Sequence, residues 1–297
     1  MWGKAYFHLP GLFEFYELYQ KFLPLFFEHR NWFYDWAEIG SIYGAPADCI
    51  WGGGRVGFGH NGLEKSILEL SKKYNISVRL TFSNSLLEEI HLSDKKCNYF
   101  CRLFESPQNG LIVHSNLLLE YVKKNYPQYQ LISSTTKVLL EEKELVKELQ
   151  RPEFNFVVPD FRFNPRLDFL SSLPSHLKKK VEFLCNECCW FECSSRKECY
   201  QNVSRKVLGI ECEDYQCKSP FSSEGYKFSR AMENPGFIGI HKIKNVYMPM
   251  GFNQFKIEGR SLGSAIVLEF LLYYLTKPKF QLEVREQIYL DNSLDLF

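Results

Sequence analysis

Residues 110–134 read GLIVHSNLLLEYVKKNYPQYQLISS, and this stretch decides the fold class. It opens with Gly110–His114, a short apolar run typical of a buried strand. Ser115 can then cap a helix whose apolar side chains share one face and which ends before Pro127. A second apolar run follows at Gln130–Ser134. This order predicts two parallel strands joined by a crossover helix.

The same alternation extends in both directions from this unit. Strand-like runs occur at Lys4–His8, Glu38–Tyr43, Ile76–Phe82, Gly110–His114, Gln130–Ser134, Asn155–Pro159, Val181–Cys185 and Phe252–Ile257. Alternating strands and helices form parallel sheets, and this number of units favours a closed barrel over an open sheet. We therefore expect an α/β fold, a TIM-type (β/α)8 barrel with a single domain over residues 1–297. A cysteine-rich insertion, residues 188–235, is expected before the last strand.

Composition limits the classes of function and location. The chain of 297 residues carries a net charge of +1, without the basic excess of a dedicated nucleic-acid binder. An RNA substrate stays open because a local basic patch can coexist with neutral net charge. The N-terminus lacks a signal-peptide pattern, and the most apolar stretch, 265–275, is too short to span a bilayer. The sequence predicts a cytoplasmic protein with no membrane span.

The distribution of cysteines is the most unusual feature of the sequence. There are ten, a number that in a reducing compartment points away from disulfides and toward metal or redox chemistry. Two pairs have ligand-like spacing, Cys189-x3-Cys193 and Cys212-x4-Cys217. Four thiolates can hold either zinc or an iron–sulfur cluster. Buried cysteines acting as small apolar side chains are the alternative.

Charged residues also stand where strands are predicted to end, which is where barrel enzymes place their active sites. Asp160 and Arg162 follow the sixth strand, and the run 256–260, Lys-Ile-Glu-Gly-Arg, follows the eighth. Arg162 and Arg260 would hold an anionic ligand if both faced one pocket. Arg55 follows three glycines whose backbone could approach a ligand closely. Helix capping explains such arginines poorly.

Two of these segments resemble a known family. The run 255–260, FKIEGR, is similar to a motif near the end of the barrel in the peptidase U32 family, the collagenase-like proteases. The segment 186–196, with NECC followed by Cys193 and Arg196, resembles the cysteine-bearing segment of that family. The resemblance implies a TIM-type barrel. It also implies kinship with oxygen-independent hydroxylases that carry a [4Fe-4S] cluster and modify RNA bases or the ubiquinone ring.

Carried over to this chain, the resemblance implies a set of functional residues. The expected iron–sulfur ligands are Cys189, Cys193, Cys212 and Cys217, with Cys49 or Cys199 able to replace one of them. From their positions at predicted strand ends and after the glycines, and not from the resemblance, the expected catalytic or substrate-binding residues are Asp160, Arg162, Glu258 and Arg260, and Arg55 and Lys256 are expected at the cofactor. The substrate would be an RNA base, a quinone or a small metabolite.

Two other functions fit the sequence. The first is a non-catalytic accessory protein, stabilised by zinc or a cluster, that binds a protein partner. The aromatic content of 16% includes a stripe near the N-terminus, Phe13, Phe15, Tyr16, Tyr19, Phe22, Phe26 and Phe27. This stripe packs the first helix onto the barrel, or forms a partner surface if part of it is exposed. The second is a peptidase with a cysteine nucleophile, for which His114 at a strand end is the best-placed histidine.

Overall fold

Eight parallel strands form the barrel that the sequence predicts. The computed structural model describes residues 3–55 and 62–293. Its strands are β1 (Ala5–Pro10), β2 (Ala37–Gly44), β3 (Ser77–Phe82), β4 (Gly110–Val113), β5 (Gln130–Ser133), β6 (Phe156–Val157), β7 (Glu182–Leu184) and β8 (Gln254–Lys256). They pair in the order β6-β5-β4-β3-β2-β1-β8-β7. A parallel bridge between Val157 and Val181 joins the two outer strands, so the ring is nearly closed.

Helices connect the strands and surround the ring. They are α1 (Tyr16–Glu28), α2 (Glu64–Tyr74), α3 (Lys95–Phe104), α4 (Asn116–Asn125), α5 (Glu142–Gln150), α6 (Leu167–Ser172), α7 (Ser175–Lys178), α8 (Arg196–Val207), α9 (Phe228–Glu233), α10 (Ile240–Lys242), α11 (Ser264–Leu275) and α12 (Gln281–Ser293). Ser115 caps α4 as expected, since its side chain accepts a hydrogen bond from the backbone of Leu118. The cysteine-rich segment between β7 and β8 contains α8 and α9.

The core lies between the strands and the helices, with a smaller cluster inside the ring. The inner cluster consists of Tyr43, Ile112, Ile132, Val158 and Leu184, one residue from or next to each of five strands. Such an apolar layer is the usual filling of a TIM barrel. It forms a floor beneath the C-terminal ends of the strands.

Asn164 does not cap a helix, although Asn164-Pro165 has the sequence of a helix start. It lies in a turn after β6, and α6 begins only at Leu167. Its side-chain amide donates hydrogen bonds to the carbonyls of Leu184 (2.8 Å) and Gly236 (2.6 Å). It thereby ties the end of β7 to the segment that leads back to β8.

Replacing Asn164 with aspartate is expected to lower the free energy of unfolding by about 1–3 kcal/mol, because a buried acceptor would then face two buried carbonyls. Urea titration measures this change. The exposed Asn125 donates to the carbonyl of Tyr121 at 2.8 Å within one helix, and Asn125→Asp serves as the control. Equal effects of the two changes would contradict the bridging role of Asn164.

One pair of cysteines departs from the expectation that the chain has no disulfides. Cys49, in the connection after β2, is bonded to Cys97 on α3, with the two Cα atoms 5.8 Å apart. The fold brings together two residues that are 48 positions apart in sequence, a proximity that spacing alone cannot reveal. In this structure Cys49 is paired with Cys97, and its role as a reserve cluster ligand stays a prediction.

Within residues 3–55 and 62–293, no helix is both long and apolar enough to cross a membrane.

Candidate functional site

A small cavity lies at the C-terminal ends of the strands. Its floor is the apolar layer inside the ring, and its walls are formed by Gly54, Arg55, Thr81, Ser83, Ser134, Thr135, Thr136, Tyr200, Lys256, Glu258 and Arg260. The internal volume is about 30 Å³, room for about two water molecules. This is the position at which barrel enzymes bind their substrates.

Several polar atoms around this cavity are buried without a hydrogen-bond partner among the described residues. They are the hydroxyls of Thr81 and Ser83 and two guanidinium nitrogens of Arg260, Nε and Nη1. Arg260 is 6% exposed, and its Nη2 lies 3.4 Å from the carbonyl of Gly53. Buried polar groups normally have partners. Their concentration around one cavity indicates a site for a polar, anionic ligand.

Two carboxylates hold Arg55 at the rim of this cavity. Its Nε lies 2.8 Å from Glu258, and its Nη2 lies 2.7 Å from Glu187. Glu187 also accepts hydrogen bonds from the backbone of Cys188 (3.0 Å) and Cys189 (3.1 Å). Glu187 therefore connects the wall of the cavity to the start of the cysteine-rich segment.

The other oxygen of Glu187 binds Arg196, the first residue of α8, at 2.7 Å. Burial alone would raise the pKa of Glu187, but Arg196 and Arg55 outweigh it and hold the pKa at about 2. The carboxylate is thus charged at neutral pH and anchors two arginines.

Asp160 and Arg162 lie beside this network and not in the cavity. The guanidinium of Arg162 binds Asp160 through two nitrogens, at 2.7 and 3.0 Å, and donates to the carbonyl of Cys193 at 2.9 Å. Asp160 also lies 3.6 Å from Arg196. Arg162 and Arg260 therefore do not share one pocket. The other charged residues that line the cavity with Arg260 are Arg55, Lys256 and Glu258.

A charged cluster in the middle of the barrel was not predicted from the sequence. Glu182 on β7 is fully buried and pairs with Arg79 on β3, with Lys256 (3.4 Å) and with His8 (3.4 Å). Nε2 of His8 also faces the side-chain oxygen of Gln254 at 2.9 Å. The sequence did contain a sign of this cluster, because each of its charged residues interrupts an apolar strand. Only the closed ring shows that the four side chains meet.

The electrostatics of this cluster fix its charge states. Burial opposes the charge of Glu182, but its contacts with His8, Arg79 and Lys256 lower its pKa to about 2. Burial and the positive charge of Arg79 lower the pKa of His8 to about 3, so the ring is neutral at pH 7. Burial and the nearby arginines also lower the pKa of Lys256 to about 8, although Glu182 acts in the opposite direction.

The cysteines of the insertion differ in their surroundings. Cys188 and Cys189 stand next to Glu187, and burial and that carboxylate raise the pKa of Cys188 to about 12 and raise the pKa of Cys189 further. Burial raises the pKa of Cys199, and the nearby Cys217 and Cys193 act in the same direction. Cys212 is separate and contacts the amide of Asn202 at 3.7 Å.

Cysteine thiolates are the usual ligands of iron–sulfur clusters and of structural zinc. The thiols of the insertion, however, are not arranged in space to bind one metal site. Among residues 3–55 and 62–293, no three cysteine, histidine or acidic side chains are arranged to hold a metal ion. A bound cluster would require these thiols to move closer together.

His114 shows no sign of activating a cysteine. Its Nδ1 pairs with the hydroxyl of Thr136 at 2.8 Å, and burial together with Lys137 lowers its pKa to about 4. The thiols of Cys188 and Cys189 are protonated at neutral pH, whereas a cysteine nucleophile needs a lowered pKa. This geometry does not favour the peptidase interpretation.

Comparison with known proteins supports the fold assignment. No family model matches the chain, and no curated protein matches its sequence. The solved structure of the U32 peptidase Mk0906 is similar, with a TM-score of 0.52 and 12% identity over 87% of this chain and 94% of that one. At this identity the likeness concerns the fold. The barrel is of the kind found in a U32 peptidase, as the sequence resemblance implied.

Proposed function

We propose that this chain is a barrel enzyme that binds a small anionic or cyclic organic substrate at the C-terminal mouth and uses an iron–sulfur cluster held by the cysteine-rich insertion. The reaction would be redox or hydroxyl-transfer chemistry, like that of the oxygen-independent hydroxylases that the sequence resembles. The observation that carries this proposal is Glu187, which binds Arg55 at the cavity, Arg196 on α8 and the backbone of two cysteines.

The residues of the mouth have distinct roles in this proposal. Arg260 binds the anionic group of the substrate with its guanidinium, two nitrogens of which have no hydrogen-bond partner among the described residues. Glu258 and Glu187 hold Arg55 at the rim, where it closes one side of the cavity. Asp160 fixes Arg162, which in turn holds the backbone of Cys193. Asp160 and Arg162 therefore position the cysteine segment and do not contact the substrate.

A bound cluster would supply electron transfer or Lewis-acid chemistry. The candidate ligands are Cys189, Cys193 and Cys217, with either Cys199 or Cys212 as the fourth. Because the thiols do not converge in the present arrangement, we expect cluster binding to order the insertion. Metal binding commonly couples to folding in this way.

The first test is anaerobic purification followed by a visible spectrum and by iron, sulfide and zinc analysis. The expected result is a brown protein with about four irons and four sulfides per chain, as a Cys₄-bound [4Fe-4S] cluster gives. A colourless protein with one zinc would contradict the redox proposal and leave the insertion as a structural clamp.

Changing Cys193 to serine is expected to remove most of the iron and the brown colour, because serine is a poor ligand for iron–sulfur clusters. The control is Cys101→Ser, since Cys101 is a buried cysteine on α3 outside the insertion. Its expected result is an unchanged spectrum. Full colour in the Cys193 variant would exclude that residue as a ligand.

The second candidate is a metal-stabilised accessory protein that binds a partner. It is favoured by exposed apolar side chains in the described part of the chain, of which Ile90 is 74% and Leu282 is 62% exposed. If the protein binds metal but its mouth variants keep full biological function, this second candidate is preferred.

A further inference from the structure

We propose that Lys256 is a nucleophilic amine that forms an imine with the carbonyl group of a small oxo acid, while Arg260 holds the carboxylate of that acid. This inference goes beyond the iron–sulfur proposal and does not depend on it. Nothing in it requires a metal, and its test does not measure one.

The position of Lys256 carries the first step of the argument. It is the last residue of β8, it is 5% exposed, and it lines the cavity at the mouth of the barrel. Its Nζ lies 3.4 Å from the centre of the Tyr43 ring, which belongs to the floor of the cavity. The amine is therefore buried beside the floor of a small cavity and away from bulk water.

The second step is the charge state of the amine. A lysine acts as a nucleophile only when unprotonated, and burial or neighbouring cations produce that state. The charged groups around Lys256 are Glu182 on one side and Arg79, Arg260 and Glu258 on the others. Their combined effect and burial bring its pKa to about 8. About one tenth of the amines are then unprotonated at pH 7, against well under a thousandth for an ordinary lysine.

The third step identifies the substrate class. Arg260 lines the same cavity, and two of its guanidinium nitrogens, Nε and Nη1, have no hydrogen-bond partner among the described residues, so its positive charge is available to bind a carboxylate. Thr81 and Ser83 add unpartnered hydroxyls that can bind the oxygen of a carbonyl. The small volume of about 30 Å³ favours a compact molecule. A small 2-oxo acid carries a carbonyl and a carboxylate on adjacent carbon atoms.

The chemistry is balanced without any further reactant. The nitrogen of Lys256 forms a bond to the carbonyl carbon, and the carbonyl oxygen becomes the hydroxyl of a carbinolamine. That hydroxyl takes up one proton from solvent, which replaces the proton that the ammonium of Lys256 released on becoming the free amine, and it leaves as water, so that a positively charged iminium remains. Glu182 is ionised, with a pKa of about 2, so its charge stabilises the iminium and does not supply the proton.

The test is reductive trapping of the full-length protein with glyoxylate and cyanoborohydride, followed by intact mass measurement and peptide mapping. Hydride reduces the imine and leaves one carboxymethyl group on the lysine. We expect Lys256 to be labelled at least tenfold faster than the exposed Lys143, with a rate that rises as the pH approaches 8. Labelling no faster than at Lys143 would overturn the proposal, whatever the iron content of the sample.

Two variants separate the roles of the two residues. Lys256→Arg keeps the positive charge beside Glu182 and should abolish the fast label. Arg260→Gln should slow labelling by glyoxylate about tenfold but leave labelling by uncharged propionaldehyde unchanged. An equal loss with both aldehydes would contradict carboxylate binding by Arg260. If the Lys256 variant does not fold, the labelling rates of Lys256 and Lys143 in the unaltered protein still test whether Lys256 is the nucleophile.

Discussion

Replacing Glu182 with glutamine is expected to lower the free energy of unfolding by about 3–5 kcal/mol, the usual cost of removing one partner of a buried ion pair. Glu182 is fully buried and is the carboxylate that Arg79 and Lys256 share inside the barrel. Without it, two buried cations face each other with no compensating charge. Arg79 cannot relieve the cost by losing a proton, whereas Lys256, whose pKa of about 8 would fall further without Glu182, relieves part of it.

Urea denaturation at pH 7 measures this loss, and Glu38→Gln is the matched control. Glu38 also pairs with a lysine, Lys4, at 2.8 Å, but the two side chains are 31% and 48% exposed. Exposed pairs contribute about 0–1 kcal/mol. Similar losses in the two variants would show that the barrel cluster is not the stabilising feature inferred from its burial.

The loss of stability in the Glu182→Gln variant should depend on pH. The pKa of Glu182 is about 2 in the folded protein against 4.5 ordinarily, so the folded state favours the ionised form. The stabilisation is fully present above pH 4.5 and is lost as the pH falls toward 2. The difference in stability between the unaltered protein and Glu182→Gln should therefore shrink across that window.

Replacing Glu187 with glutamine is expected to cost about 3 kcal/mol and to loosen the cysteine-rich insertion. One of its two oxygens would become a nitrogen facing an N–H donor, whether from Arg55 or from Arg196. Since Arg196 is 2% exposed, its charge would lose its closest partner in a buried environment. Asp160 at 3.6 Å would compensate for part of this loss.

Two measurements test this expectation. Urea denaturation gives the loss of stability, and limited proteolysis should cut the segment between β7 and β8 at least tenfold faster than in the unaltered protein. Glu198→Gln is the control, because Glu198 lies on the exposed side of the first turn of α8. Unchanged proteolysis of the Glu187 variant would mean that the insertion is anchored elsewhere.

The barrel was predictable because every strand is an apolar run followed by a helical pattern. The positions of Glu258, Arg260 and Lys256 at the mouth were predictable for the same reason, since strand ends converge in a parallel barrel. The partners of these residues were not predictable. Whether Arg162 points to the cavity or to Cys193 depends on side-chain geometry around Asp160, which no spacing in the sequence encodes.

The charged interior and the disulfide illustrate the same limit. His8, Arg79 and Glu182 are far apart in the chain, and each alone resembles an outward-facing residue of a half-buried strand. Cys49 and Cys97 have no common motif. Both groupings arise from contacts that form only when the ring is closed, so they could be found from the structure but not from local patterns.

Closure of the ring has a consequence for synthesis on the ribosome. β1 begins at residue 5 and pairs with β8, which begins at residue 254. At a translation rate of about 5–20 residues per second, one edge of β1 waits on the order of 10–50 s for its partner. During that time its backbone donors and acceptors are open to pairing with other chains. The nascent chain is therefore more open to pairing with other chains than the finished barrel is.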